Sequence, residues 1–270
     1  MNPDKHRLGH NFGRQAAQYD RYALVQRRLA EQLVQSLEQH PGNFARILEI
    51  GCGTGYLTSL LRQAFPKAQI TALDLAPAAL EAARTRLASA AGIEWLVADG
   101  EHVAPGRFDL ITASSVFQWF SQPQQACRLY WEHLNPGGLL AFTTLGPLTF
   151  RELVASFNQA GEMFPELTLP VIPAQTFVPG QDWGDFLQQA GFADITLRQE
   201  LWLEGYPDLW AFLKAVRGMG ATSTRPAFLP RKLLTAVVNQ YELCFRRNGT
   251  VQVTYEIISV RGVKEKKGSG

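Results

Sequence analysis

The stretch with the clearest chemistry is Leu48-Glu49-Ile50-Gly51-Cys52-Gly53-Thr54-Gly55. A short apolar run leads into a glycine-rich turn that opens a helix. Glycines at 51, 53 and 55 allow positive φ and let a ligand approach the backbone closely. Acids flank the turn. Glu49 lies two positions before Gly51, and Asp74 lies 23 positions after it. Asp99 comes next, followed by Gly100. A carboxylate ending a second strand can accept from both hydroxyls of a ribose. One ending a third strand can accept from an exocyclic adenine amine. The spacing is GxGxG, with Tyr56 where a dinucleotide-binding GxGxxG turn needs its third glycine. A nucleotide-dependent oxidoreductase is therefore a weak option. A ligand without a phosphate would need neither a Walker lysine nor a helix N-terminus aimed at a pyrophosphate.

These residues need a sheet to bring them together, and the pattern supplies one. Arg46–Ile50, Ile70–Leu73, Ile93–Ala98, Phe108–Ala113 and Leu139–Thr144 read as strands. Helical runs over Thr54–Phe65, Pro77–Ala90 and Gln124–Leu134 lie among them. Strands joined by helical runs imply right-handed βαβ units and a buried parallel sheet. In such a sheet a ligand sits outside the carboxyl ends of the strands, where the strand order reverses. Before the first strand, the chain reads as a loop and then a helix with Val25, Leu29, Leu33 and Leu37 on one face. After Thr144 the rhythm changes. Residues 146–180 hold five prolines around one helix near Thr149–Ala160. Helices over Asp182–Ala190, Asp208–Val216 and Pro230–Phe245 follow, with strands over Ile195–Leu203 and Thr250–Val260. No linker divides the chain.

Composition bounds the rest. The chain has 270 residues, 46% of them hydrophobic and 19% charged, which suits a folded core and excludes wholesale disorder. No apolar window is long enough to span a bilayer, and the polar first residues lack the apolar centre of a secretory signal. Cys52, Cys127 and Cys244 are widely spaced, form no zinc pattern, and read as reduced thiols of a cytoplasmic protein. A net charge of +2 argues against a nucleic-acid partner. The charge is uneven, however. Residues 1–213 carry 15 Lys+Arg against 21 Asp+Glu, whereas residues 214–270 carry 11 against 3.

The motif series EIGCGTG, LDLAPAALEAAR, VADGEHV, FDLITASSVFQWF and LNPGGLLAFTT resembles the class I S-adenosylmethionine-dependent methyltransferases over about residues 44–145. The stretches Phe12-Gly13-Arg14-Gln15-Ala16-Ala17-Gln18-Tyr19-Asp20, Phe117-Gln118-Trp119, Phe150-Arg151-Glu152-Leu153, Leu213-Lys214 with Gly218-Met219-Gly220-Ala221-Thr222, and Val253-Thr254-Tyr255 resemble one family within that class, the malonyl-[acyl-carrier protein] O-methyltransferases of biotin synthesis. The sequence departs from the family pattern at Thr222-Ser223-Thr224. The resemblance implies an α/β fold: a Rossmann-like seven-stranded sheet with helices on both faces and an inserted helical cap after strand five. It implies a single domain over 1–262, made of a lid and helix (1–43), a cofactor-binding core (44–145), a cap (146–180) and C-terminal strands and helices (181–262). A disordered tail (263–270) would follow.

The resemblance also implies roles. Gly51 and Gly53 would lie against the amino-acid part of S-adenosylmethionine, with Glu49 supporting the loop. Asp74 would hold the ribose hydroxyls, Leu75 would pack on adenine, and Asp99 with Gly100 would meet the adenine amine. Ser114 would lie near the methionine end. The product would be S-adenosylhomocysteine, and no metal is expected. The acceptor would be the free carboxylate of a malonyl thioester on an acyl-carrier protein or coenzyme A. A carboxylate is ionised at pH 7 and needs no general base. The chain's task is then alignment and water exclusion. Tyr19, on the lid, is the candidate catalytic residue. Arg151, Lys214 and Arg217 are candidate carboxylate-binding cations, and Trp119 a substrate contact, although Phe117, Trp119 and Phe120 also suit core packing. The basic segment would dock an acidic carrier protein. The core motifs also admit another small acid or a quinone precursor as methyl acceptor, or a non-catalytic cofactor-binding module.

Overall fold

A computed structural model describes residues 5–220 and 229–266. Thr222-Ser223-Thr224 and residues 267–270 lie outside them. The chain opens with two helices, α1 (Lys5–Tyr22) and α2 (Leu24–Glu38). An alternating core follows: β1 (Arg46–Ile50), α3 (Tyr56–Ala64), β2 (Gln69–Asp74), α4 (Pro77–Arg86), β3 (Ile93–Val97), β4 (Phe108–Ser114), α5 (Pro123–His133) and β5 (Leu134–Leu145). The second half comprises α6 (Arg151–Glu162), α7 (Gly180–Ala190), β6 (Ala193–Tyr206), α8 (Leu209–Gly218), α9 (Arg231–Phe245), β7 (Arg246–Arg247) and β8 (Thr250–Val263).

The strands lie in the order β3-β2-β1-β4-β5-β8-β6, with the two-residue β7 added on β8. β1 to β5 pair in parallel, whereas β8 runs antiparallel between β5 and β6. The expected seven strands are thus present, and β7 is a short addition beside them. The chain moves outward from β1 to β3 and then returns to β4 on the other side of β1. This reversal opens a crevice at the carboxyl ends of β1 and β4.

Helices cover both faces, so the central strands are apolar on both sides. One face packs α2 and α3 through Leu33, Leu37, Leu57 and Leu61 against Ile47, Ile70 and Leu110. The other packs Cys127, Tyr130, Trp183 and Leu187 of α5 and α7 against Phe108, Ile111 and Phe142. Each such aliphatic side chain contributes about 1.5–3 kcal/mol when fully buried. A further cluster, with Leu153, Phe157, Phe212 and Val237, joins α6, α8 and α9 to β8 and forms the cap.

Two acids fasten this cap. Glu152 is 4% exposed, and its Oε2 accepts from the Thr254 backbone N–H at 2.9 Å while its Oε1 accepts from the Thr254 hydroxyl. Glu256 Oε2 accepts from the Leu148 N–H at 2.7 Å. The segment after β5 is therefore bound to the antiparallel strand rather than to solvent.

Two expectations are corrected. The segment before α2 is not a loop, because Lys5–Tyr22 is a helix whose Leu8, Phe12 and Tyr19 face the crevice. The expected tail at 263–270 begins too early. Val263 pairs with Leu139 in β5, and Lys264 Nζ donates to the Trp131 and Leu134 carbonyls at 2.7 and 3.0 Å.

Candidate active site

The turn after β1 is shaped by its glycines. Gly51 has φ +66°, and a Cβ there would stand 2.5 Å from the Val116 side chain. Gly53 has φ +53°, and a Cβ there would meet nothing within 4 Å. Its open side faces a cavity at the strand ends with about 870 Å³ of empty space, part of it open to solvent.

Of the expected cofactor residues, Gly51, Gly53, Asp74, Leu75, Asp99, Gly100 and Ser114 all line this cavity. Asp74 ties two turns together, because its Oδ2 accepts from Gly53 N–H and its Oδ1 from Ala76 N–H, both at 2.8 Å. Burial pushes its carboxyl above the ordinary value, and these donors oppose that shift. Gly100 is held by Tyr130, whose hydroxyl donates to its carbonyl at 2.7 Å. The Ser114 and Thr143 hydroxyls are 3.0 Å apart. Glu49, expected to support the loop, stands apart from the other candidates. It is 0% exposed, lies beneath the turn, and does not line the cavity. Neither of its oxygens makes a close hydrogen bond, and burial pushes its carboxyl up to about 8 against the weaker opposing influence of Thr58 nearby. It is a support held back from the ligand.

Helix α1 closes the cavity from above. Lys5 Nζ donates to Asp99 Oδ2 at 2.6 Å and Oδ1 at 2.9 Å, and also pairs with buried Glu101. At the other end, the Thr54 hydroxyl donates to Asp20 Oδ1 at 2.8 Å, and Arg86 pairs with Asp20. Lys5, Leu8 and Thr54 line the cavity and were not singled out in the sequence. The signal was present for Leu8: Leu8, Phe12 and Tyr19 recur at spacings of four and seven, as one helix face does, and Lys5 lies three positions before Leu8 on that face.

A second cavity, with about 2020 Å³ of empty space including solvent-open parts, lies under the cap. Its walls are apolar, with Leu153 and Phe157 of α6, Phe177, Phe212 of α8 and Val237 of α9. Phe12, Tyr19, Ser115 and Trp119 line both cavities and mark where they meet. The Phe12 ring packs edge-on against Tyr19 and Trp119, with centroids 6.4 and 6.1 Å apart. Burial, with Asp20 and Asp74 nearby, drives the Tyr19 phenol far up, so it remains a neutral donor.

The three expected cations separate. Lys214 and Arg217 line the second cavity but are exposed. Arg151 lines neither cavity. It starts α6 on the outer side, with Nε 3.3 Å from Glu152 Oε1 and its side chain half exposed. The basic C-terminal segment does not form one face either. Lys232 pairs with Glu166, Arg246 with Glu242, and Lys264 binds carbonyls at the opposite end of the sheet.

The methyltransferase-domain model matches residues 48–140. The malonyl-[acyl-carrier protein] O-methyltransferase of Brevibacillus brevis is 35% identical over 97% of both chains. That of a Paenibacillus species is 36% identical over 95% of this chain and 98% of its own. Among solved structures, the YcgJ protein of Bacillus subtilis superposes with a TM-score of 0.59 at 15% identity, over 87% of this chain and 99% of its own. Phosphoethanolamine N-methyltransferase 2 of Haemonchus contortus, in complex with S-adenosyl-L-methionine, gives 0.55 at 16% identity, over 87% of this chain and 53% of its own. These two show the fold; the sequence identity along nearly the whole chain shows more, and the chain belongs to the malonyl-[acyl-carrier protein] O-methyltransferase family, within the class I S-adenosylmethionine-dependent methyltransferases.

Proposed function

We propose that this chain transfers a methyl group from S-adenosylmethionine to the free carboxylate of a malonyl thioester. The thioester is carried on an acyl-carrier protein or coenzyme A, and the product is the malonyl methyl ester that begins pimeloyl synthesis for biotin. The observation that carries this reading is the meeting, at Tyr19 and Trp119, of an acid-lined cavity with an apolar one. The relatives' name supplies the acceptor.

The residues present fit S-adenosylmethionine. Gly53 leaves open the space that a side chain would fill. Asp74 and Asp99 are set for hydroxyls and an amine, and no lysine of the turn competes for a phosphate. Gly51 and Gly53 would hold the amino-acid part, Asp74 the ribose, Leu75 the adenine face, Asp99 and Gly100 the adenine edge, and Ser114 the methionine end. Lys5 neutralises Asp99 and Glu101, so an adenine amine would share Asp99 with an ammonium. When bound, the sulfonium supplies the methyl group and S-adenosylhomocysteine remains.

The chain's own residues do the rest. Phe12 and Trp119 exclude water from the meeting point, which raises the energy of a hydrated carboxylate more than that of a transition state in which opposite charges cancel. Tyr19 stays protonated and donates; it abstracts nothing. No base is required, because the acceptor is already an anion at pH 7. Lys214 and Arg217, without acidic partners among the described residues, meet the acidic carrier at the rim. The work is that of a cytoplasmic biosynthetic enzyme. Among the described residues no helix is long and apolar enough to cross a membrane.

A labelled-methyl assay on malonyl-carrier protein and malonyl-coenzyme A tests the reading, and base-labile methyl ester on either is the expected result. Methylation of a different small acid alone would leave only the reaction class. Rescue of a biotin-requiring strain lacking this step is the matching test in cells.

A further inference from the structure

A carboxylate brought into the apolar second cavity must find donors, since an unpaired buried anion is strongly disfavoured. The polar side chains near the meeting point are few, and most are already engaged. Gln118 Nε2 donates to the Ser115 carbonyl at 2.8 Å, and its Oε1 accepts from the Thr144 hydroxyl at 2.9 Å. Lys5 is held by Asp99 and Glu101. Lys214 and Arg217 are exposed at the rim. Among the described residues the Tyr19 hydroxyl is free to donate, and two further groups hold buried atoms without a partner. Ser115 lines both cavities, has φ +60°, and its Oγ is buried without a hydrogen-bond partner. Gln26, near the start of α2, lines the second cavity, and its Oε1 is likewise buried and unpartnered. Gln26, Tyr19 and Ser115 all line this second cavity, and α1 is joined to α2 at its edge by the Ala23 N–H, which donates to the Tyr19 carbonyl at 3.0 Å.

Buried polar groups are almost always satisfied, so orphans that face a cavity mark where a ligand's polar atoms go. We propose that Gln26, together with the Tyr19 and Ser115 hydroxyls, holds the free carboxylate of the acyl substrate through neutral hydrogen bonds. The assignment rests on the carboxyl-methylation reading and names the group that recognises the acceptor. A half-turn of the Gln26 amide presents its NH₂ group to the carboxylate. Neutral donors suit the chemistry. Charge disappears as an anion takes a methyl group from a cation, so a buried guanidinium would stabilise the bound substrate more than the transition state and slow the step. Neutral donors orient the oxygens and leave them nucleophilic. They also hold the uncharged methyl ester less firmly than the carboxylate, which favours its release.

The test compares Gln26→Leu, similar in size and without donors, with Gln26→Glu, matched in shape but anionic. KM and kcat are measured on a malonyl thioester, and S-adenosylmethionine affinity by calorimetry. For Gln26→Leu we expect KM to rise about tenfold or more, with cofactor affinity within about twofold. For Gln26→Glu we expect a larger loss of turnover, through like-charge repulsion, and again intact cofactor binding. Catalytic efficiency within about twofold of the unmodified protein in both variants would overturn the assignment, and so would parallel loss of cofactor binding in both. If the unmodified protein methylates no malonyl thioester, the functional reading fails first and takes this assignment with it. Normal turnover with unresponsive variants removes the assignment alone.

Discussion

The two cavities share four residues but are built differently. The walls of the first come largely from the turns after β1, β2, β3 and β4. Parallel strands end on one edge, so positions that follow successive strands converge whatever the connecting helices contain. The second cavity draws on α1, α2, the turn at Phe117–Trp119, α6, α8 and α9. No strand edge aligns these pieces. Their convergence depends on how helices pack and on two buried acids that bind the cap to β8. A site made of strand-end turns can be located from spacing, whereas a site made of packed helix faces cannot.

The largest effect is expected where the cap is fastened. Glu152→Ala leaves the buried Thr254 N–H and hydroxyl without their acceptor, at about 1–3 kcal/mol for each orphaned donor. Thermal denaturation should show a clearly lowered midpoint, with cofactor affinity of the folded fraction preserved. An unchanged midpoint would mean that the cap holds without this anchor. On the other side, Asp74→Ala should weaken S-adenosylmethionine binding at least tenfold, since charge-assisted hydrogen bonds contribute about 1.5–3 kcal/mol each. Calorimetry measures this, and unchanged affinity would remove the strand-two acid from the site.

A smaller effect concerns pH. The Glu49 carboxyl is raised from 4.5 to about 8 by burial. The folded chain therefore binds that proton more tightly than the unfolded chain. The resulting stabilisation is full below the unfolded value and is lost as pH rises through the folded one. The melting midpoint should fall between pH 5 and pH 8, and Glu49→Gln should flatten that fall. An identical slope in the variant would assign the pH dependence elsewhere. The smallest contrast lies among the cations. Lys214→Ala with Arg217→Ala should raise KM for malonyl-carrier protein about three- to tenfold at low salt and less at high salt. Arg151→Ala should leave it unchanged. Equal effects would erase the distinction between a cation at the cavity rim and one outside it.

The cavity at the strand ends was legible because each residue there answers a local requirement. Gly51 and Gly53 are needed for a turn with positive φ, and Asp74 and Asp99 end strands whose apolar runs are visible in the sequence. Glu49 was read as a support for the loop, but its complete burial away from the cavity was not foreseen. Its spacing placed it near the turn, but side chains alternate along a strand, and burial beneath the sheet surface is not written in spacing. Arg151 was chosen as a cation opening the segment after strand five, whereas its neighbour Glu152 carries the structural role. Long-range pairing with Thr254, 102 positions away, decides which of the two faces inward. Helix α1 was read as a loop because its polar composition hides a narrow apolar face.

The sequence by itself determined the parallel core, the glycine turn and the acids at the strand ends, which follow from periodicity and from the fact that strand ends share an edge; its motif series pointed to the family. The tertiary structure decided that α1 covers the cavity through Lys5 and Asp20, that the cap is pinned by Glu152 and Glu256, that Ser115 stands unpartnered where the cavities meet, and that Gln26 does so in the wall of the second. Each depends on which distant partner a side chain finds or lacks once the helices have packed, and that is a property of the assembled chain rather than of any local run of residues.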